Sequence, residues 1–159
     1  DIPFRVLDPQ GSRGKSCLIV ASDKSGDRKH PPAIHEIPVG LRTNSLYFLH
    51  TCDVPEPRER SLYATRNPRI IGQYTVNYVD GHSVSIPLEY LANIHDWNGQ
   101  RGPAQAVGVW EGPSPKGVLL TVAAVKWENP RPEVSIRSID FSAARGAGVR
   151  SALLAITAG

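Results

Sequence analysis

The stretch Asn93-Ile94-His95-Asp96-Trp97-Asn98-Gly99 gathers an indole, a carboxylate, an imidazole and two side-chain amides in one turn-rich segment. An indole can stack on the apolar face of a sugar ring while Asp, Asn and His groups bond its hydroxyls, which is the combination a small polar ligand demands. Trp97, Asp96 and Asn98 are therefore the leading candidates for ligand contact. The competing account makes Trp97 an inward plug and Asp96 a turn cap, because tryptophan is usually well buried.

Other residues extend this chemistry. His50 follows the apolar run LYFL and should sit where its strand opens into a long loop. Tyr90 and Trp127 are second-rank aromatic contacts, the latter in WENPRP beside Glu128 and Asn129. The segment PEPRERSLYATRNPR carries Arg58, Arg60, Arg66 and Arg69, whose forked guanidinium groups would select an acidic polysaccharide. Mixed-sign charge of this kind is otherwise simply solvated.

Catalytic chemistry is poorly marked. His50, Asp96 and Glu128 can be drawn as an acid/base set, yet no spacing forces them together. No GxSxG elbow, HExxH helix or glycine-rich phosphate loop is present. Calcium is a candidate structural ion, with Asp8, Asp23 and Asp27 in loops of suitable composition, although none forms an EF-hand pattern. Cys17 and Cys52 lack zinc-type spacing. They read first as buried thiols, with a single disulfide as the alternative.

The elements that must position these groups are strands. Fourteen prolines and 14 glycines leave few windows long enough for a capped amphipathic helix. Short β-branched or aromatic runs bounded by turn residues span 16–21, 33–39, 45–50, 72–79, 82–87, 105–111, 118–126, 134–141 and 149–156. Alternation at Tyr74, Val76 and Tyr78 implies one covered face, and Asp80-Gly81 reads as a two-residue hairpin turn. Nine strands without helices predict an all-β, two-sheet antiparallel sandwich of jelly-roll type.

If successive strands alternate in direction, the short connections 39–44, 80–81, GPSPKG and AARGAG fall at one end. The longer 22–32, 51–71, 88–104 and 127–133 then gather at the other. Long loops at one end of a rigid scaffold are the expected binding surface. This places Trp97, His50 and Trp127 together.

Size and charge bound the rest. A chain of 159 residues is expected to form one domain with a core of its own, spanning 1–159. The formal charge of +3 is spread through loops rather than concentrated with aromatics, so nucleic acid is not expected as a partner. No apolar run is long enough for a membrane span. A chain beginning at Asp1 without any methionine is expected to be a module excised from a longer protein.

At IPFRVLDP, SLYFLHT, GQYTVNYVDG, NIHDWNG, WENPRPEVSIRSIDF and LLAIT the chain resembles the galactose-binding-like β-sandwich modules attached to secreted bacterial glycoside hydrolases. These segments extend over nearly the whole chain, each as a loose pattern. The resemblance implies a secreted, non-catalytic jelly-roll module, often carbohydrate-binding and often stabilised by calcium. It transfers no ligand-contacting residue, because the sugar site moves from family to family. The expectation is thus a carbohydrate-binding module that brings a tethered polysaccharide-degrading domain to its glycan. Two rivals stand beside it: a structural accessory domain packed on a catalytic neighbour, and a small polysaccharide hydrolase or lyase.

Overall fold

Period-two alternation is realised as burial. Tyr74, Val76 and Tyr78 point into the core and are fully buried, while Gln73, Thr75 and Asn77 between them face outward. The computed structural model of the chain describes residues 3–8, 10–55, 69–98 and 102–159. Among these it forms nine strands: β1 (Leu18–Ala21), β2 (Ala33–Leu41), β3 (Ser45–Asp53), β4 (Ile70–Tyr78), β5 (Ser83–Glu89), β6 (Ala106–Pro113), β7 (Leu119–Glu128), β8 (Ile136–Ala143) and β9 (Arg150–Ala158). They build a five-stranded sheet in the order β1-β9-β3-β7-β6 and a four-stranded sheet in the order β2-β8-β4-β5. Every pairing between these strands is antiparallel. The all-β antiparallel sandwich expected from the sequence is the observed fold, and each expected strand appears within a few residues of its predicted bounds.

The core lies between the sheets. Leu46, Phe48 and Cys52 of β3 meet Tyr74, Val76 and Tyr78 of β4 and Ile139 and Phe141 of β8. Phe48 stacks on Tyr74 with ring centroids 4.4 Å apart, and Phe141 tilts against the same ring at 4.9 Å.

Three expectations are corrected. Val79, Asp80 and Gly81 form a three-residue connection, closed by the Tyr78 N–H donating to the His82 carbonyl at 2.9 Å. Only Gly81 has positive φ, at 89°, because Val79 and Asp80 are the central residues of a tight turn, closed by Gly81 N–H donating to the Tyr78 carbonyl at 3.2 Å, and a three-residue connection then needs one left-handed residue. Cys17 is exposed and Cys52 buried, and the two are not joined by a disulfide, so only one of them is the small hydrophobe expected.

The ends of the sandwich also differ from expectation. The β5 and β6 strands run in the same direction in different sheets, so segment 90–105 carries the chain from one end back to the other. Alternation then reverses for everything that follows. The Arg69 carbonyl accepts from Tyr90 N–H, the Ile71 carbonyl from Ala144 N–H and the Val149 carbonyl from Ser22 N–H. These bonds collect loops 22–32, 144–149 and the start of 90–105 at the Trp97 end. The Asn44 carbonyl accepts from Asn129 N–H, which puts WENPRP with the short turns at the opposite end.

Candidate functional site

The β5 strand stops at Glu89, whose carbonyl faces the N–H groups of Ala92 and Asn93 at 3.1 Å. Asn93 locks this turn: its Oδ1 accepts the Glu89 N–H at 2.8 Å and its Nδ2 donates to the Pro87 carbonyl at 2.9 Å. Leu91 takes the left-handed conformation, φ 71°. The chain then enters the five-stranded sheet as a wedge between β3 and β7. Cys52 N–H donates to the His95 carbonyl at 3.0 Å, Trp97 N–H to the Cys52 carbonyl at 2.8 Å, and Thr121 N–H to the Trp97 carbonyl at 2.6 Å. Residues 95–97 therefore behave as a short extra strand whose side chains alternate across the sheet.

That alternation assigns the roles within the motif. Asp96 points inward and is 3% exposed. Its Oδ2 accepts the Val54 N–H at 2.7 Å and its Oδ1 the Asn98 N–H at 3.2 Å. Trp97 points to the outer face, half-buried, with its indole N–H donating to Asp53 Oδ1 at 2.9 Å. The other Asp53 oxygen pairs with the Arg150 guanidinium, which also lies 3.6 Å from Asp27 Oδ2. His30 Nδ1 bonds that same Asp27 oxygen at 2.8 Å. This bond and the Lys29 backbone N–H hold the Asp27 carboxyl far below the usual carboxylate range.

These groups surround a depression of about 410 Å³ on the outer face, lined by Thr51, Asp53, Trp97, Arg150, Ala152 and His30. Registers Thr51↔Ala152 and Asp53↔Arg150 show why they share a face despite lying about a hundred residues apart in sequence. Chemically the depression offers a ring edge and face, a carboxylate, a guanidinium, a hydroxyl and an imidazole around an aliphatic floor.

Several residues expected at the site are elsewhere. His50 is 2% exposed, inside the sandwich. Its Nε2 sits 2.8 Å from the Asn93 carbonyl and its Nδ1 3.1 Å from the Tyr74 hydroxyl. A neutral ring donating from Nε2 and accepting at Nδ1 satisfies both contacts. Burial lowers its pKa to about 4 against the opposing pull of the Asn93 carbonyl. Tyr90 is also buried and stacks on His95 at 5.6 Å. Trp127 is half-buried against the core at the far end, and Glu128 pairs with Lys126 there. The acid/base set of His50, Asp96 and Glu128 is thus not assembled. Asn98 stays exposed beside Trp97. Arg69 is half-buried, whereas Arg58, Arg60 and Arg66 lie outside the described residues.

Sequence reasoning missed Asp53, Arg150, Asp27 and His30 as neighbours of Trp97. A signal was present in the polar ends HTCD and DRKH, but only strand register could join them. The three aspartates named for calcium are engaged otherwise: Asp8 caps the N–H groups of Gln10 and Gly11, Asp23 accepts Gly146 N–H at 2.6 Å, and Asp27 serves His30. Among the described residues no group of three His, Cys, Asp or Glu side chains is arranged to hold a metal ion. The chain matches no protein-family model, no curated protein and no solved structure.

Proposed function

We propose that this domain is a non-catalytic carbohydrate-binding module that takes a neutral glycan on Trp97. The observation that carries the reading is the half-exposed indole, fixed by Asp53 at the rim of a depression otherwise lined by hydroxyl, carboxylate, guanidinium and imidazole. An aromatic ring whose orientation is locked before binding loses little freedom when a sugar stacks on it. Asp96 acts as a positioning residue, holding the turn through Val54 and Asn98 so that Trp97 emerges on the outer face.

The preference for a neutral ligand follows from local charge. Arg150 is committed to two carboxylates, those of Asp53 and Asp27, so this cluster presents no surplus cation to an acidic sugar. The strand order supports the galactose-binding-like assignment within this proposal: removal of β6 leaves two interleaved four-stranded sheets with β1 beside β9, the arrangement a jelly roll would have. Extracellular location, attachment to a polysaccharide-degrading enzyme and a structural calcium ion are parts of the same proposal.

Affinity electrophoresis through neutral and acidic polysaccharides tests it. Retardation in a neutral gel, lost in Trp97→Ala with the fold intact, is the expected result. Retardation only by acidic polymers would overturn the neutral assignment.

One observation favours a second reading, a structural domain that packs on a neighbour. The β6 strand is the outermost of the larger sheet, and Val107, Val109 and Leu119 of its hairpin with β7 are about half exposed. Unretarded migration in every gel, together with self-association that Val109→Asp removes, would put this reading in place of the first.

A further inference from the structure

We propose that the glycan site does not end at Trp97 but crosses β7 to Trp110, so that the ligand is a linear chain of several sugars and not a single terminal residue. The inference rests on the carbohydrate reading above and adds the shape of the ligand. Registers Trp110↔Val122 and Gly108↔Ala124 place Trp110 on the face opposite the core side chains Leu46, Phe48 and Cys52. Thr51 and Trp97 lie on that same outer face.

Trp110 is 56% exposed, far more than a tryptophan needs to be on a sheet whose centre could cover it. Glycines flank it on the same face at 108 and 112. A Cβ on Gly112 would come within 2.5 Å of the indole Cζ2 and 2.6 Å of Cη2, so the benzo ring occupies the space that a side chain there would fill. Gly108 leaves the other side low, and a second depression of about 410 Å³ runs past Trp110 over Leu49, Ala124 and Phe4. The ring therefore rests on the sheet as a platform.

Thr121 bonds the Trp97 carbonyl on one side of β7, and β6 pairs on the other. The two tryptophan backbones are thus about two strand spacings, roughly 10 Å, apart. One pyranose ring does not reach across that distance, whereas a chain of two or three does. Val122, on β7 between them, is 8% exposed and so adds little polar surface, and the Thr51 hydroxyl, which faces the His95 and Thr121 carbonyls at 3.2 Å, offers its lone pairs. Two aromatic rings on one sheet face, each beside its own depression, suit an extended oligosaccharide.

Calorimetric titration of the full chain with β-glucan, mannan, xylan and galactan oligosaccharides, from monosaccharide to hexasaccharide, tests the inference. Affinity of the unmodified protein should rise about tenfold or more with length. Trp110→Ala should flatten that rise while leaving affinity for the shortest bound sugar unchanged, and Trp97→Ala should abolish binding at every length. Gly112→Val, which displaces the indole without removing it, should reproduce the Trp110→Ala pattern and guards against a folding artefact. Unaltered length dependence in both Trp110→Ala and Gly112→Val, with binding still lost in Trp97→Ala, would overturn the extension and leave the Trp97 site standing. Absence of binding by any of these oligosaccharides would overturn both, and Trp110 would then belong to a protein contact.

Discussion

The two ends of the sandwich use the same ingredients to opposite effect. Each has a tryptophan, an aspartate–arginine pair and a turn tied by side-chain hydrogen bonds. At the Trp127 end the polar groups close on one another around the Tyr78 ring. Buried Asn129 accepts the Tyr78 hydroxyl at 2.5 Å and the Arg131 N–H at 3.0 Å, and donates to the Thr43 carbonyl at 2.8 Å. Arg131 lies over the Tyr78 ring at 4.9 Å and forks onto Asp80 at 3.1 and 2.6 Å. At the Trp97 end the buried partners, Asp96 and His50, secure the backbone beneath, while the indole, Asp53 and Arg150 remain around an open depression. Residue type alone therefore does not decide which end stays open. At both ends the polar groups are paired, and what differs is whether those pairs close over buried groups or stand around an open depression.

The largest loss is expected at the closed end. Asn129→Ala would strand the Tyr78 hydroxyl, the Arg131 N–H and the Thr43 carbonyl, and we expect a loss of roughly 3–5 kcal/mol in urea unfolding with glycan retardation of the folded fraction unchanged. A mild stability loss with weakened binding would show that the two ends are coupled.

Acid should act through the other end. The His50 pKa is 6.5 unfolded and about 4 folded, so between these values the unfolded chain takes up a proton that the native state refuses. Its contribution is intact above pH 6.5 and is lost as pH falls toward 4, on the order of 3 kcal/mol in total. The depressed carboxyls of Asp23, Asp27, Asp80 and Asp140 also lose stability on acidification, but in a lower window, beneath their ordinary value of 3.8. Urea midpoints at pH 7 and 4.5 should differ much less in His50→Gln than in the unmodified chain. An equal pH response in both would remove His50 as the cause.

Trp97→Ala sharpens the contrast with a smaller stability change. Truncating a half-buried ring should cost about 1–2 kcal/mol, measured by thermal unfolding, while binding disappears. Trp127→Ala should do the reverse, lowering stability and sparing affinity. The smallest effect belongs to the exposed fork at Asp80. Asp80→Asn should shift the melting temperature slightly, and the shift should vanish in high salt.

Much of the fold was legible. Strand existence followed from β-branched runs and turn residues, and the inward set Tyr74, Val76 and Tyr78 from period two. The site was legible only in part. Trp97 and Asn98 reach the surface, yet Asp96, between His95 and Trp97, points inward because neighbouring side chains on a strand-like wedge alternate. His50 was read as a strand-end ligand, but β3 continues to Asp53, which leaves His50 on the buried face beneath Tyr74. Trp127 was misplaced because the direction of β6 depends on which sheet it joins.

The class of fold, the strands and the presence of an aromatic, hydrogen-bonding loop could thus be read from the chain, since these rest on local periodicity and turn chemistry. Tertiary structure alone decided that Asp53, Arg150, Asp27 and His30 meet at Trp97, that Trp110 shares its face, and that WENPRP lies at the far end. Those are matters of register and strand direction, and antiparallel pairing between residues a hundred positions apart leaves no local trace in the chain.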